Sequence, residues 1–532
     1  MVGPALLANA LAAVPNLNPI PVDSMEQAYA RHANRFLHTY LVVTRGSKLK
    51  LEAGIEDARS HKMSRNLHIE GDRSSGMGWM LAKLAKEISP EAKVVAGPST
   101  EAYEQLNRAL QTADFAAQDE AFAAALKLDP HFGAAYEDWT KVLLARGNRD
   151  RAAEIAQKGE AAGVNDFSQV TLTYLQARAQ ADNETQISAL KKLLALAPSD
   201  SEAYEHLGEL QFAGRHFADS AAAYREALRL DPANGTLENM HGYAEAFAGN
   251  MDQARVALKT YGEAAPEQQG NALDSLGEVD FGAGDFAGAD AAFLAAQEKN
   301  SGSGDWLKAA QARLLMGDLA GADQIFARFS KKPSAYQQAQ WDFLTGRRKR
   351  ALEKLKAEAG ESSGDAAALL WAQIAIWQLQ MGDRAGAGAS VRKVMAQPAS
   401  PARNARAGLA TFLVQGGSPS SGVPFVDALS LIFRQDFQAA LPLLEQVYAR
   451  TIPTTDGQVR VLLAWASIET GHFDRARELL RIVPIPLASG DPMFTSLIFP
   501  RYFALRAALL AREGKQTEAQ KDRQLFDRYS AN

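Results

Sequence analysis

Nine histidines and no cysteine stand in this chain of 532 residues, so any acid-base or metal chemistry must be built from imidazole, carboxylate, amine and hydroxyl groups. Thiol nucleophiles, disulfides and sulfur-held zinc are excluded. The histidines do not fall at ligand spacing. His61 and His68 flank an expected strand with Asp72 nearby, where exposed turn polarity is a better account than a metal. His206 and His241 occupy near-equivalent places in successive segments and are expected as solvated groove residues. Gly386 and Gly388 give a partial GxGxxG that lacks its third glycine and a preceding strand, so turn packing outweighs phosphate binding. Ser47 and Ser188 each begin an SxxK match, one in an expected hairpin turn and one on a helix. There is no HExxH, GxSxG, Walker loop or EF-hand loop. The basic run Arg347-Arg348-Lys349-Arg350 has no interleaved aromatic and is followed by Glu353, Glu358 and Glu361; a solvated helix start is expected there rather than a nucleic-acid contact. The expectation is a protein that is not an enzyme and holds no metal or cofactor.

What these residues are mounted on follows from periodicity. The stretch Asp200 to Pro232, DSEAYEHLGELQFAGRHFADSAAAYREALRLDP, carries two amphipathic helices that meet at a small-residue turn. Pro198, Pro232 and Pro266 follow one another at 34-residue spacing. The copies share residue types as well: Tyr204, Leu207-Gly208, Ser220, Tyr224 and Ala227; then Gly242, Ala254, Leu258 and Tyr261; then Leu276-Gly277, Ala289, Phe293 and Ala296; then Trp306, Ala310, Ala322 and Phe326. An earlier copy has Phe122 and Ala125 before Pro130. Small residues let the two helices of a hairpin approach closely, and the aromatic is expected to wedge between one hairpin and the next.

Spacing and residue types together resemble the tetratricopeptide repeat, over roughly residues 99–532 and most specifically over 99–329. The resemblance implies a mainly α fold, an α-solenoid of about twelve helical hairpins in a right-handed superhelix. Gly346, Gly382, Gly471 and Gly514 are expected at inter-helix turns of degenerate hairpins, over about 334–360, 365–397, 456–483 and 494–529. The Gly-, Ser- and Pro-rich stretch 415–424 breaks the pattern. The expected organisation is a small α/β domain over 1–95, the array over 96–400, a linker over 401–424 and degenerate hairpins over 425–532.

Before the array the texture differs. Helical spacing at 3–14, a short apolar stretch at 17–22 and a helix at 24–36 precede a switch to period 2 in YLVVTRGSKLKLEAGIEDARSHK. That switch is the mark of a β-hairpin turning at Gly46-Ser47. A third strand, at 65–70, puts Leu67 and Ile69 on one face, and an amphipathic helix follows over 74–88. This order resembles the amino-terminal-like domain of the FlgO and TolB families, a small α/β domain preceding the repeats. The resemblance implies a further first strand, expected upstream of Met1. It also motivates an alternative function, the sensor or regulatory portion of a larger bacterial signalling protein linked to a kinase or transcription regulator.

Charge narrows the partner. The net charge is -5, yet residues 199–305 hold 19 acidic against 6 basic side chains, 6 − 19 = −13, which leaves +8 elsewhere. Such a zone repels nucleic acid and suits a protein or peptide with basic or polar segments. The mean hydropathy is -0.22, and no apolar run reaches the ~18 residues that span a bilayer. A cytoplasmic setting is expected, or a periplasmic one if an export or membrane segment precedes Met1. In tetratricopeptide proteins the first helix of each hairpin, helix A, lines the concave face. The resemblance therefore implies an inward surface of Glu202, Glu205, Glu209, Phe212, Asn239, Tyr243, Asp274, Glu278 and Phe281. The family's carboxylate clamp needs Lys and Asn where Glu205 and Glu209 stand, so a chaperone C-terminus is not the expected ligand.

Overall fold

The structure, a computed structural model, describes residues 33–43, 48–72, 76–93, 99–232, 234–415, 421–483 and 492–531, with scattered positions between Leu7 and Ala28. The expected turn at Gly46-Ser47, residues 416–420 of the expected break, and much of the expected segments before residue 33 lie outside these described residues. By their contacts, residues divide into two units, Met1–Ala248 and Gly249–Asn532.

The first unit opens with three antiparallel strands in the order β1 (Arg35–Val43), β2 (Lys48–Asp57), β3 (Met63–Asp72). Alternation sends Leu49, Leu51 and Ala53 of β2 and Leu67 and Ile69 of β3 to one buried face. The helix Gly76–Ile88 covers that face with Met80 and Leu84, both fully buried. One boundary is corrected here. Arg35 and Phe36, expected to end a helix, pair with Asp57 and Glu56 in β1, because the ladder offers their backbone partners that a helix end would leave unmet.

Helical hairpins follow: Thr100–Gln111 with Phe115–Leu128, Gly133–Ala145 with Arg149–Ala161, Asp166–Gln180 with Asn183–Leu196, and Ser201–Ala213 with Phe217–Leu230; the helix Gly235–Ala248 ends the unit. Polar N-caps start several of them. Asp114, Asn165, Asp182 and Asp200 each accept a backbone N–H of the first turn, an interaction worth ~1 kcal/mol apiece. The tight turn in the Asp200–Pro232 repeat places Arg215 at φ 63°, a left-handed conformation that a side chain disfavours.

In the second unit Met251–Ala264 is followed by the pairs Gln269–Ala283 with Phe286–Lys299, Asp305–Met316 with Leu319–Ser330, Ala335–Leu344 with Arg348–Glu361, and Gly364–Gln380 with Arg384–Met395. After Pro401–Gln415 come Pro424–Phe433 with Phe437–Arg450, Gly457–Glu469 with Phe473–Leu479, and Pro492–Arg512 with Gln516–Ser530. The turn glycines fall as expected, with Gly346, Gly382, Gly471 and Gly514 at φ 84°, 80°, 85° and 79°. Residues 401–415, expected within a linker, form a helix instead. Pro401 is tolerated in its first turn, where no intrahelical donor is needed, and Ala407, Ala410 and Leu413 are buried.

Two kinds of contact hold the hairpins. Within a hairpin, a Cβ added to Gly208 would lie 2.9 Å from the Tyr224 ring, and one added to Gly277 would lie 2.6 Å from Phe293. Glycine is required there because the ring occupies the space of its missing side chain. Between hairpins, Phe122 stacks on Trp139 at 5.6 Å and Phe326 on Trp341 at 4.8 Å. In each case the tryptophan Nε1 donates to an aspartate three residues before the phenylalanine, Asp119 or Asp323, at 2.7 Å. The expected aromatic wedge is thus present, reinforced by a hydrogen bond that periodicity does not reveal.

Each unit also has a clasp between parts distant in sequence. In the first, Ser199 Oγ donates to the Val14 carbonyl at 2.9 Å, and its backbone N–H to Ala12. In the second, the last hairpin shares a core with earlier ones: Phe499, Phe503 and Tyr529 cluster with Phe281, Leu314, Trp341 and Leu344. Tyr529 is fully buried and its hydroxyl donates to the Leu314 carbonyl at 2.8 Å.

Candidate functional site

Helix Ser201–Ala213 presents the acidic surface of the first unit. Glu202 and Glu209 are exposed and Glu205 is half-buried. Between them sits His206, with Nδ1 3.2 Å from Glu209 and Nε2 3.6 Å from Glu202. The carboxylate of Glu202, then that of Glu209, hold the imidazole up to about 9 despite its burial, so it is a cation at neutral pH. It stacks on Tyr174 at 6.1 Å. The helix Gly235–Ala248 continues this surface with half-buried Asn239 and Tyr243. The Asn239 Oδ1 atom is buried without a hydrogen-bond partner among the described residues. His241 is paired with Glu245 at 3.1 Å, and Glu245 also takes Arg225 at 2.7 Å. Burial pushes the His241 imidazole down.

Phe212 does not belong to that surface. It is buried at 5% exposure, edge-on to Phe217 at 5.3 Å and Phe247 at 5.4 Å. Phe281 in the second unit is corrected in the same way, at 3% exposure and edge-on to Phe286 at 5.4 Å. Both sit where helix A meets its turn, and the aromatic opening the following helix covers them.

In the second unit the acidic pair Asp274 and Glu278 is already engaged. Lys308 Nζ lies 2.7 Å from Asp274 and 2.7 Å from Glu278. Burial raises the Asp274 carboxyl to about 6, with Lys308 opposing and Glu278 adding to the shift. The basic run opens the helix Arg348–Glu361 as expected, with Lys349 and Arg350 exposed, but it is not wholly solvated. Arg347 and Arg350 close on Asp342, which is fully buried, and Arg347 also forks onto Asp323 at 2.8 and 2.9 Å. Arg348 is itself buried. Carboxylates at positions 323 and 342 supply the countercharge, and a sequence window around 347–350 contains neither.

His61 pairs with Glu56 at 2.8 Å, and His38, which sequence spacing did not single out, pairs with the same carboxylate at 2.7 Å. Gly386 lies in the first turn of its helix and gives its N–H to the Asp383 side chain at 2.8 Å. Among the described residues no group of three His, Asp or Glu side chains is placed to hold a metal ion, and no helix is long and apolar enough to cross a membrane.

Consecutive helical hairpins packed through glycine–aromatic and tryptophan–phenylalanine contacts define an α-solenoid. A family model described as tetratricopeptide repeat matches residues 431–489, so the solenoid carries that repeat where sequence spacing is most degenerate. The fold is a tetratricopeptide-like α-solenoid, with a small three-stranded antiparallel sheet before the helical hairpins. A search of curated proteins returns no match. Among solved structures, the chain is similar to YrrB, titled a TPR protein with an unusual peptide-binding site, at 19% identity over 36% of this chain and 95% of that one, with TM-score 0.27. It is also similar to TTC0263, a thermophilic TPR protein from Thermus thermophilus, at 19% identity over 36% and 99%, with TM-score 0.25. Likeness to the Naa15/Naa10 complex bound to HypK-THB spans 81% of this chain and 76% of that one, at 15% identity and TM-score 0.30. With TM-scores this low, the fold assignment rests on the hairpins themselves and on the family model.

Proposed function

We propose that the protein is a non-enzymatic scaffold that holds a protein or peptide partner with basic or polar segments against the helix-A surface of its first unit. The carrying observation is the set Glu202, Glu205 and Glu209 on one helix, continued by Asn239 and Tyr243 on the next helix A, whose Phe247 meets Phe212 at 5.4 Å. Exposed carboxylates with one histidine between them attract cations over several ångströms and set association rate and specificity more than affinity. Asp274 and Glu278, spent on Lys308, contribute less.

Titration of the full chain with a library of basic and acidic peptides tests this. Binding is expected for Lys- and Arg-rich members, to weaken with salt, and to fall at least tenfold when Glu202, Glu205 and Glu209 are all changed to Lys with circular dichroism unaltered. Equal binding by that variant would remove the surface from the function.

The sheet of 35–72 with its helix 76–88 favours a second reading, a FlgO/TolB-like regulatory domain within a larger signalling protein. The genomic reading frame upstream of Met1 decides it: an in-frame strand, membrane helix or catalytic domain supports it, and an immediate stop codon counts against it.

A further inference from the structure

Within the second unit, the last helix A, Pro492–Arg512, runs against three earlier A helices, Ala335–Leu344, Gly364–Gln380 and Gly457–Glu469. Two arginines stand there, Arg348 buried and Arg501 half-buried. Arg348, at 6% exposure, lies 4.9 Å over the Phe343 ring, which in turn stacks on Trp377 at 4.2 Å. Arg501 lies 3.7 Å over the Trp465 ring and 5.1 Å over Phe526.

Neither guanidinium makes an ion pair among the described residues, and the Nε–H of each is buried with no acceptor. The contrast with their neighbours is direct. Arg347 and Arg350 are committed to Asp342, and Arg506, one turn beyond Arg501, is forked onto Asp522 at 2.5 Å. Burial, joined by the charge of Arg501, pulls Arg348 down to about 10, and burial pulls Arg501 down to about 10 although Glu469 offsets part of it. The two groups are brought together by packing, since the helix that bears Arg501 runs against the helix Ala335–Leu344, whose Phe343 ring Arg348 covers. Glu469 is engaged by the Trp465 indole at 3.2 Å.

Aromatic faces stabilise a guanidinium only in part, while a buried cation left without a countercharge costs several kcal/mol. Donors of fixed fork geometry that lack acceptors match the oxygens of a carboxylate or phosphate, which accept two N–H bonds at once. We propose that Arg348 and Arg501 form a binding site for an oxyanion, a phosphate or carboxylate group bridging the two guanidinium groups inside the second unit. The bound group supplies the missing negative charge, and the flanking rings of Phe343 and Trp465 hold the forks in place. This site involves none of the acidic residues of the first unit, so it stands or falls apart from the partner surface proposed above.

The test uses the purified full chain in chloride buffer, titrated at constant ionic strength with sodium phosphate, sodium sulfate or sodium acetate, and followed by calorimetry and thermal unfolding. At least one oxyanion is expected to bind saturably and raise the unfolding temperature; phosphate or sulfate against acetate tells which group fits. In Arg348→Met and Arg501→Met the saturable heat should vanish. Any remaining sulfate effect is then the general salting effect shared by all variants. Arg348→Lys keeps charge without the fork and should weaken binding at least tenfold, which separates recognition from bulk charge. Should a Met variant fail to fold, the wild-type titration still decides. No saturable heat with any of the three anions, or equal binding by the Arg348→Lys variant, overturns the proposal.

Discussion

The acidic helix-A residues of the first unit and those of the second have the same origin in the repeat and opposite fates. Glu202 and Glu209 remain in solvent with His206 as a shared, partial countercharge. Asp274 and Glu278 are drawn in around Lys308, whose side chain is only 16% exposed. The clasps differ in the same direction. The first unit closes with polar bonds at Ser199, whereas the second closes with the rings of Phe499, Phe503 and Tyr529. A repeat position therefore does not have one job. Where a neighbouring cation draws it in, as Lys308 does Asp274 and Glu278, it is spent within the fold, whereas Glu202 and Glu209 stay at the surface.

The largest expected effect comes from opening the apolar clasp. Tyr529→Ala removes a fully buried ring and its bond to Leu314, and should cost about 3–5 kcal/mol in urea unfolding. Amide exchange should accelerate in residues 305–316 of the same unit while residues 100–230 keep their protection. Uniform acceleration across both units would erase the distinction between the clasps.

Next comes Lys308→Met, which strands Asp274 and Glu278 without their cation and should cost about 3 kcal/mol at pH 7. The loss should shrink on acidification. Asp274 titrates at about 6 in the folded chain against an ordinary 3.8, so the folded state holds a proton that the unfolded state has released, and stability falls as pH rises from about 4 through 6. Denaturation at pH 5 and pH 7 measures it, and an equal cost at both would show that Asp274 is not the titrating group.

The smallest effect belongs to the first unit. His206 is held up to about 9 against an ordinary 6.5. Its contribution is complete below 6.5 and disappears as pH rises through 9, and with both carboxylates largely in water it amounts to about 1 kcal/mol. His206→Gln should flatten stability over that window and leave the acid-side behaviour of Asp274 in place. A wild-type curve already flat there would mean the imidazole is not paired in solution.

Much of this was legible in sequence for local reasons. Proline spacing and the glycines at 346, 382, 471 and 514 mark turns because a tight inter-helix connection needs a left-handed residue. Gly208 and Tyr224 could be matched because glycine and ring occupy one space in one hairpin. What failed to show were pairings that helical spacing does not suggest. Arg347 and Arg350 enclose the carboxylate of Asp342 five and eight residues away, and Arg348 between them has no carboxylate partner among the described residues. Phe212 and Phe281 fall at groove positions on the repeat template, yet the aromatics at 217 and 286 draw them into the core. Helix 401–415 was hidden by the two-sided cue of Pro401, which can end one helix or begin another. The acidic surface of the first unit is written only as charge, which by itself names no particular molecule.

The bond from Tyr529 to Leu314 joins residues 215 apart, and its consequence is kinetic. An open solenoid folds by nearest-neighbour zipping, since each hairpin needs only the ones beside it. Closing a loop this long has to be completed before its contacts give anything back. The second unit should therefore fold more slowly than an open array of its length and unfold as one cooperative block, whereas terminal hairpins of an open array fray one at a time.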